Sequence, residues 1–138
     1  MKTVILYHSQ MGSTKKFAEQ KAKELSCEIE EIKGVKKLNP FFGGFKAKKR
    51  KSVPIQKINA NLQGYDKIIV MSPTWHDSPT PPINALFEQL PQGKELDLIM
   101  VSASGKTSDE SVAKTKQVLS GMGLSLHDYG NIGSKPKK

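Results

Sequence analysis

Three runs of the chain are mainly apolar: Thr3 to Tyr7, which has no polar alternation, Tyr65 to Met71, which is continuously apolar over Ile68 to Met71, and Leu96 to Val101. Such runs suit strands buried on both faces, as in a parallel sheet. Each ends in small polar or turn-forming residues, and each is followed by apolar positions at helical spacing. After the first run, Ser13 to Leu25 places Phe17, Ala18, Ala22 and Leu25 on one helix face. After the second, Pro81 and Pro82 suit a first helical turn, with Ile83, Leu86, Phe87 and Leu90 as its inward face. After the third, Thr107 and Glu110 have capping-box spacing, with Val112, Val118, Leu119 and Met122 turned inward and Gly121 and Gly123 ending the helix.

Two weaker strands complete the set. Cys27 to Ile32 alternates faintly and carries Glu28, Glu30 and Glu31, which predicts a partly exposed edge strand, and Leu124 to Tyr129 alternates as a half-exposed edge should. Between Gly34 and Gln63 the pattern supports only a short, irregular crossover helix. The repeated order of strand, loop and helix predicts an α/β doubly wound fold with right-handed crossovers.

With 138 residues, the chain fits one domain, assigned to residues 1–133 with a basic tail at 134–138. The single cysteine, Cys27, excludes an internal disulfide and a cysteine-cluster metal site. No apolar run is long enough for a signal peptide or a membrane span, so a cytoplasmic location without a membrane partner is the default expectation. The net charge of +9 is local: Lys46, Lys48, Lys49, Arg50 and Lys51 supply five charges, and Lys135, Lys137 and Lys138 three. Without those eight, 14 basic residues face 13 acidic ones, so the body of the domain is nearly neutral. The internal run, with Phe41, Phe42 and Phe45 beside it, is read as a solvated face or as a docking patch for an acidic partner protein rather than nucleic acid.

In an open parallel sheet, ligands bind beyond the carboxyl ends of the strands where the strand order reverses. Three loops qualify. Ser9-Gln10-Met11-Gly12-Ser13-Thr14 joins a flexible glycine, three hydroxyls and a helix start, the elements of an anion cradle. It lacks both the G-x-x-x-x-G-K-[ST] and the G-x-G-x-x-G patterns, which favours a monophosphate. Pro73-Thr74-Trp75-His76 offers an indole that can stack on a planar ring. Ser102-Ala103-Ser104-Gly105-Lys106 is the third. The three histidines lack metal-ligand spacing, and the serines lack a nucleophile elbow.

The first loop, together with Tyr65 to Trp75 and the following Pro81-Pro82-Ile83-Asn84, resembles the flavodoxin family. The resemblance implies a five-stranded parallel sheet in the order 2-1-3-4-5, and FMN as cofactor. It implies that Ser9 to Thr14 hold the phosphate, that Trp75 stacks on the isoalloxazine, and that Ser102 to Lys106 line its pyrimidine edge. The implied function is an electron carrier or a small reductase of quinone-like acceptors. The alternative is a binding module of the same fold without flavin.

Met11 occupies a position where the family usually has a hydroxyl, and Ser102 to Lys106 contain no second aromatic. Lys106 and His76, opposed by Asp77, are expected to favour the negative charge of the reduced cofactor and so to make its second reduction step less negative. No terminal helix follows the last predicted strand. Strands three and four are therefore expected to show apolar side chains on one face, and the chain to self-associate through them.

Overall fold

In the computed structural model, which describes residues 1–134, the chain forms a six-stranded sheet between two layers of helix. The elements are β1 (Thr3–Tyr7), α1 (Ser13–Leu25), β2 (Glu28–Glu31), α2 (Pro40–Lys48), β3 (Lys67–Trp75), β4 (Ser78–Pro79), α3 (Pro81–Phe87), β5 (Glu95–Ser102), α4 (Asp109–Gly121) and β6 (Leu126–Gly133). The sheet order is β2-β1-β3-β5-β6, with all neighbours parallel and the short β4 pairing antiparallel to the end of β3. This is the doubly wound order expected from the sequence, with one added hairpin strand. The tail lysines Lys135, Lys137 and Lys138 lie outside the described residues.

The pleat sends alternate residues of each strand into two separate cores. Val4, Leu6, Ile68, Val70, Leu96, Leu98 and Met100 pack against α3 and α4, while Ile5, Tyr7, Ile69, Met71 and Val101 pack against α1. One helix thus covers one face and the remaining crossovers cover the other. The expectation of a bare apolar face over strands three and four is corrected. Ile69, Met71 and Val101 are buried, and only Ile99 and Ile132, beside Gly130, are partly exposed there. Beyond them the same face is polar. Lys67 Nζ lies 3.0 Å from both Glu95 and Asp97, and His127 Nδ1 lies 3.0 Å from Asp97. Those two carboxylates raise the Lys67 pKa.

Several element ends differ from the sequence reading. Leu25 is exposed, because the buried row of α1 is Thr14, Ala18 and Ala22. Thr107 does not cap α4. Ser108 does, its Oγ accepting from Ser111 N at 3.0 Å, while the Thr107 hydroxyl pairs with Tyr129 OH at 2.8 Å. The last strand runs to Gly133 because parallel pairing with β5 continues through Ser102↔Gly133. On the opposite edge, the Glu30 carboxylate accepts from Asn59 N and Ala60 N at 2.8 Å, so an acid that marked exposure also anchors the returning chain.

The segment between β2 and β3 leaves and re-enters the fold through a narrow base. Gly34 bridges Ile55, Val35 N donates to Pro54 O at 3.0 Å, and Gln56 N donates to Lys33 O at 2.8 Å. Its helix, α2, starts at Asn39, whose side chain accepts from Phe41 N. Behind α2, Arg50 adopts a positive φ of 58° and turns its guanidinium inward onto Thr115 Oγ1, Ser111 O and Ser111 Oγ. Asn84 Nδ2 donates to Lys51 O at 3.0 Å. Arg50 therefore leaves the basic run expected to dock a partner and acts as a tie between α2 and α4.

Replacing Arg50 with alanine strands the buried acceptors on Ser111 and Thr115, at a cost of about 2 kcal/mol in urea unfolding. Arg50→Lys, which keeps the charge but loses the planar fork, should recover only part of that. An alanine variant as stable as the wild type would show that the tie contributes nothing.

Candidate functional site

Register places the three loops in a row. Tyr7 pairs with Met71, and Pro73 pairs with Val101, so the chain leaves β1, β3 and β5 at one edge of the sheet. In the first loop, Gly12 takes φ +92°, where a side chain would be strained, and becomes the N-cap of α1 without any side-chain cap. Ser9 Oγ accepts from Gly12 N at 3.1 Å and from Lys15 N at 3.3 Å. The Ser9 hydroxyl therefore braces the loop and keeps its own proton for an anion. The N–H groups of Ser13 and Thr14 open α1 without a protein acceptor, among the described residues. Thr14 is buried, whereas the Met11 side chain is 90% exposed.

Beside this loop a cavity of about 350 Å³ is lined by His8, Ser9 and Gln10 on one side and by Lys33, Lys36 and Lys37 on the other. Glu31 also lines it, but three lysines outnumber that one acid, and with the nearby α1 N-terminus they give the cavity a net positive character suited to a phosphate. The sequence reading missed these three lysines, which lie far along the chain in a segment without a clear pattern.

The second loop is a hairpin. β3 continues through Trp75, and His76 and Asp77, at φ 50° and 62°, make the two-residue turn into β4. The Trp75 indole meets the His8 ring edge-on, with centroids 6.1 Å apart, which joins the first loop to the second. Its other neighbour is α2. A Cβ on Gly43 would lie 2.6 Å from Trp75 Cζ3, and one on Gly44 would lie 2.5 Å from His76 Cδ2. The glycine pair lets the α2 backbone rest directly on both rings, and Phe45 stacks on His76 at 6.0 Å. A Gly-Gly inside a helical stretch was the signal in the sequence for such a close approach.

Asp77 is engaged rather than free. Its Oδ1 accepts from Ser108 N at 3.0 Å, its Oδ2 from the Ser108 hydroxyl, and its carbonyl from the Ser111 hydroxyl. The carboxylate thus extends the cap of α4, where the helix dipole offsets its charge. In the third loop, Ser102 Oγ accepts from Gly105 N at 3.0 Å and Lys106 N at 3.2 Å, and Ser104 Oγ accepts from Lys106 N at 3.3 Å. Ala103, Ser104 and Lys106 are exposed. Both serine-led loops are therefore closed on themselves by a serine hydroxyl at or just beyond the strand end.

Between them, Thr74 Oγ1 is a buried side-chain oxygen without a hydrogen-bond partner among the described residues. An unpaired hydroxyl costs free energy, and it lies in the loop where a ligand is expected. Beneath, His8 Nδ1 sits 2.7 Å from Thr80 Oγ1, and Thr80 N donates to Ser72 Oγ at 3.1 Å. Burial lowers the His8 pKa to about 4, so the ring is neutral at ordinary pH.

That shift has a sign that can be tested. Between pH 6.5 and about 4 the unfolded chain binds a proton on His8 that the folded chain refuses, so stability falls as pH falls through this window. The loss attributable to His8 reaches about 3 kcal/mol at the acid end. Urea unfolding of His8→Asn should show a flatter profile over the same range than the wild type. Parallel profiles would remove His8 from the account.

The model of the NADPH-dependent FMN reductase family matches residues 1–132. A flavoprotein from Lactobacillus acidophilus, solved in complex with FMN, is similar at 27% identity over 93% of this chain and 91% of its own, with a TM-score of 0.78. Flavodoxin 1 from Bacillus cereus shares the fold at 19% identity, with 100% of this chain and 88% of its own covered and a TM-score of 0.55. A WrbA-like flavodoxin from Agrobacterium tumefaciens shares it at 20% identity, 91% and 74% coverage, and a TM-score of 0.60. No curated protein matches the chain in sequence. No described helix is long and apolar enough to cross a membrane. With a flavodoxin-like sheet and a family match along nearly its whole length, this chain belongs to the NADPH-dependent FMN reductase family.

Proposed function

We propose that the protein binds FMN across the carboxyl ends of β1, β3 and β5 and serves as an FMN-dependent electron-transfer protein or small reductase. The reading rests most directly on the first turn of α1, where the Ser13 and Thr14 amides point past Gly12 without protein acceptors. The residues fit the group. Ser9, Gln10, Met11, Gly12, Ser13 and Thr14 would hold the phosphate by backbone and hydroxyl donors, with Lys33, Lys36 and Lys37 supplying positive charge from the adjoining cavity. Pro73, Thr74, Trp75 and His76 would face the ring system, and Thr74 Oγ1 would gain the partner it lacks. Ser102 to Lys106 would line the remaining edge.

Bound FMN supplies one- and two-electron chemistry, and the protein orients it and sets its potential. Trp75 cannot swing freely, because His8 and Gly43 hold it from two sides, so it offers a rigid wall to the ring. The neutral His8 adds no charge beneath that wall. Asp77, tied to the α4 cap, opposes added negative charge less than an unpaired acid would, which leaves Lys106 and His76 to favour it.

Trp75 is the only tryptophan, so its emission reports the site directly. Titrating apoprotein with FMN should quench both indole and flavin fluorescence, and Met11→Thr should tighten binding about tenfold by adding a donor at the phosphate. Loss of indole quenching with flavin binding intact would remove Trp75 from the site. Colourless protein that leaves FMN fluorescence unchanged would overturn the proposal in favour of a flavin-free binding module. Anaerobic bleaching of the bound flavin by NADPH would separate a reductase from a carrier that accepts electrons only from protein.

A further inference from the structure

The positive charge of this protein is more concentrated than its basic run suggests. Between Ile32 and Tyr65 there are nine basic residues and no acid, which leaves 13 basic against 13 acidic residues in the rest of the chain. The whole net charge therefore belongs to the excursion between β2 and β3. Its base is pinned by the Gly34 to Ile55 bridge, and its helix α2 stands over Trp75 and His76.

The outer surface of α2 is aromatic. Phe41, Phe42 and Phe45 are 67%, 63% and 47% exposed, and they pack edge-to-face on one another with centroids 5.5 and 5.1 Å apart. A groove of about 400 Å³ beside Phe42 is lined by Val35, Leu38 and Val53 together with Lys36, Lys37 and Lys46. Lys48, Lys49 and Lys51 stand exposed at the other end of the helix. Three adjoining phenylalanines in water carry a hydrophobic cost that scattered surface residues do not.

We propose that this face docks on an anionic lipid bilayer, the phenylalanines entering the boundary between headgroups and acyl chains and the lysines resting on the headgroups. The chemistry favours a bilayer over an acidic protein. Protein interfaces favour arginine and disfavour lysine, since a planar fork pairs with fixed carboxylates and a mobile ammonium does not. Here the only arginine, Arg50, is spent inside on Ser111 and Thr115. What faces outward is lysine and phenylalanine. That pair suits a fluid anionic surface that demands no directional partner. Peripheral docking needs no spanning helix, and it would turn the carboxyl edge of the sheet, with the candidate flavin loops, toward the membrane.

The test uses the full chain and vesicles of phosphatidylcholine alone or with about one third phosphatidylglycerol, read by co-sedimentation. Wild-type protein should sediment with the anionic vesicles and stay in solution with the neutral ones. Reversing Lys46, Lys48 and Lys49 together to glutamate should weaken partitioning about tenfold or more. Phe41→Ala with Phe42→Ala keeps every charge and should leave binding that moderate salt removes, whereas wild-type binding should persist in part. Both variants alter exposed side chains, and unchanged melting curves would establish that they fold. Wild-type protein left in solution with anionic vesicles would overturn the proposal. So would vesicle binding that ignores the phenylalanine change, because a purely electrostatic face is one for an acidic protein.

Discussion

Everything at the functional edge depends on parallel pairing of β1 with β3 and of β3 with β5. A parallel ladder forces the chain to cross over between strands, so consecutive carboxyl ends emerge side by side and their loops face the same space. Burial on both faces makes the register strict: a slip of one residue would move Ile5, Ile69 and their neighbours from the α1 core to the opposite one. The loops inherit that precision. His8 meets Trp75, and Asp77 meets Ser108, only because strands distant in sequence are held in step.

On this frame the segment between β2 and β3 is the least regular part and the most constrained by contact. It is fastened at its base by backbone pairing and on its inner side by Arg50 and Lys51, each bound to a different later helix. Gly43 and Gly44 allow α2 to sit on two aromatic rings without intervening side chains. The result is a helix whose inner face steadies the candidate flavin wall and whose outer face is left to lysine and phenylalanine. The same short element joins the candidate flavin edge to the face proposed to dock on a bilayer.

The strands and helices with sustained periodicity were legible from the chain. Thr3 to Tyr7 and Ser13 to Leu25 stand as read, and the strand order is the one the resemblance to flavodoxins implied. Ends were less so. Thr107 and Glu110 have the spacing of a capping box, but the neighbouring serine was claimed by Asp77 across the fold, and a long-range acceptor outweighed the local pattern. Leu25 looked inward by spacing, yet the buried row of α1 is Thr14, Ala18 and Ala22, with Phe17 partly buried beside it. The expected bare face failed for a similar reason. Alternation showed that Ile69 and Met71 are apolar, but only packing shows that α1 extends over them.

The sequence by itself determined the class of fold, the three loops that end buried strands, and the likeness to flavodoxins, because these follow from short-range periodicity and contiguous motifs. Tertiary structure alone decided which groups are free. It turned Arg50 from a surface charge into an internal tie, committed Asp77 to a helix cap, buried His8 as a neutral ring, and brought Lys33, Lys36 and Lys37 beside Ser9. Each of those outcomes depends on partners many residues away. A side chain's charge and reach are written in its own position, but whether it meets water, a ligand or another side chain is set by what the fold places opposite it.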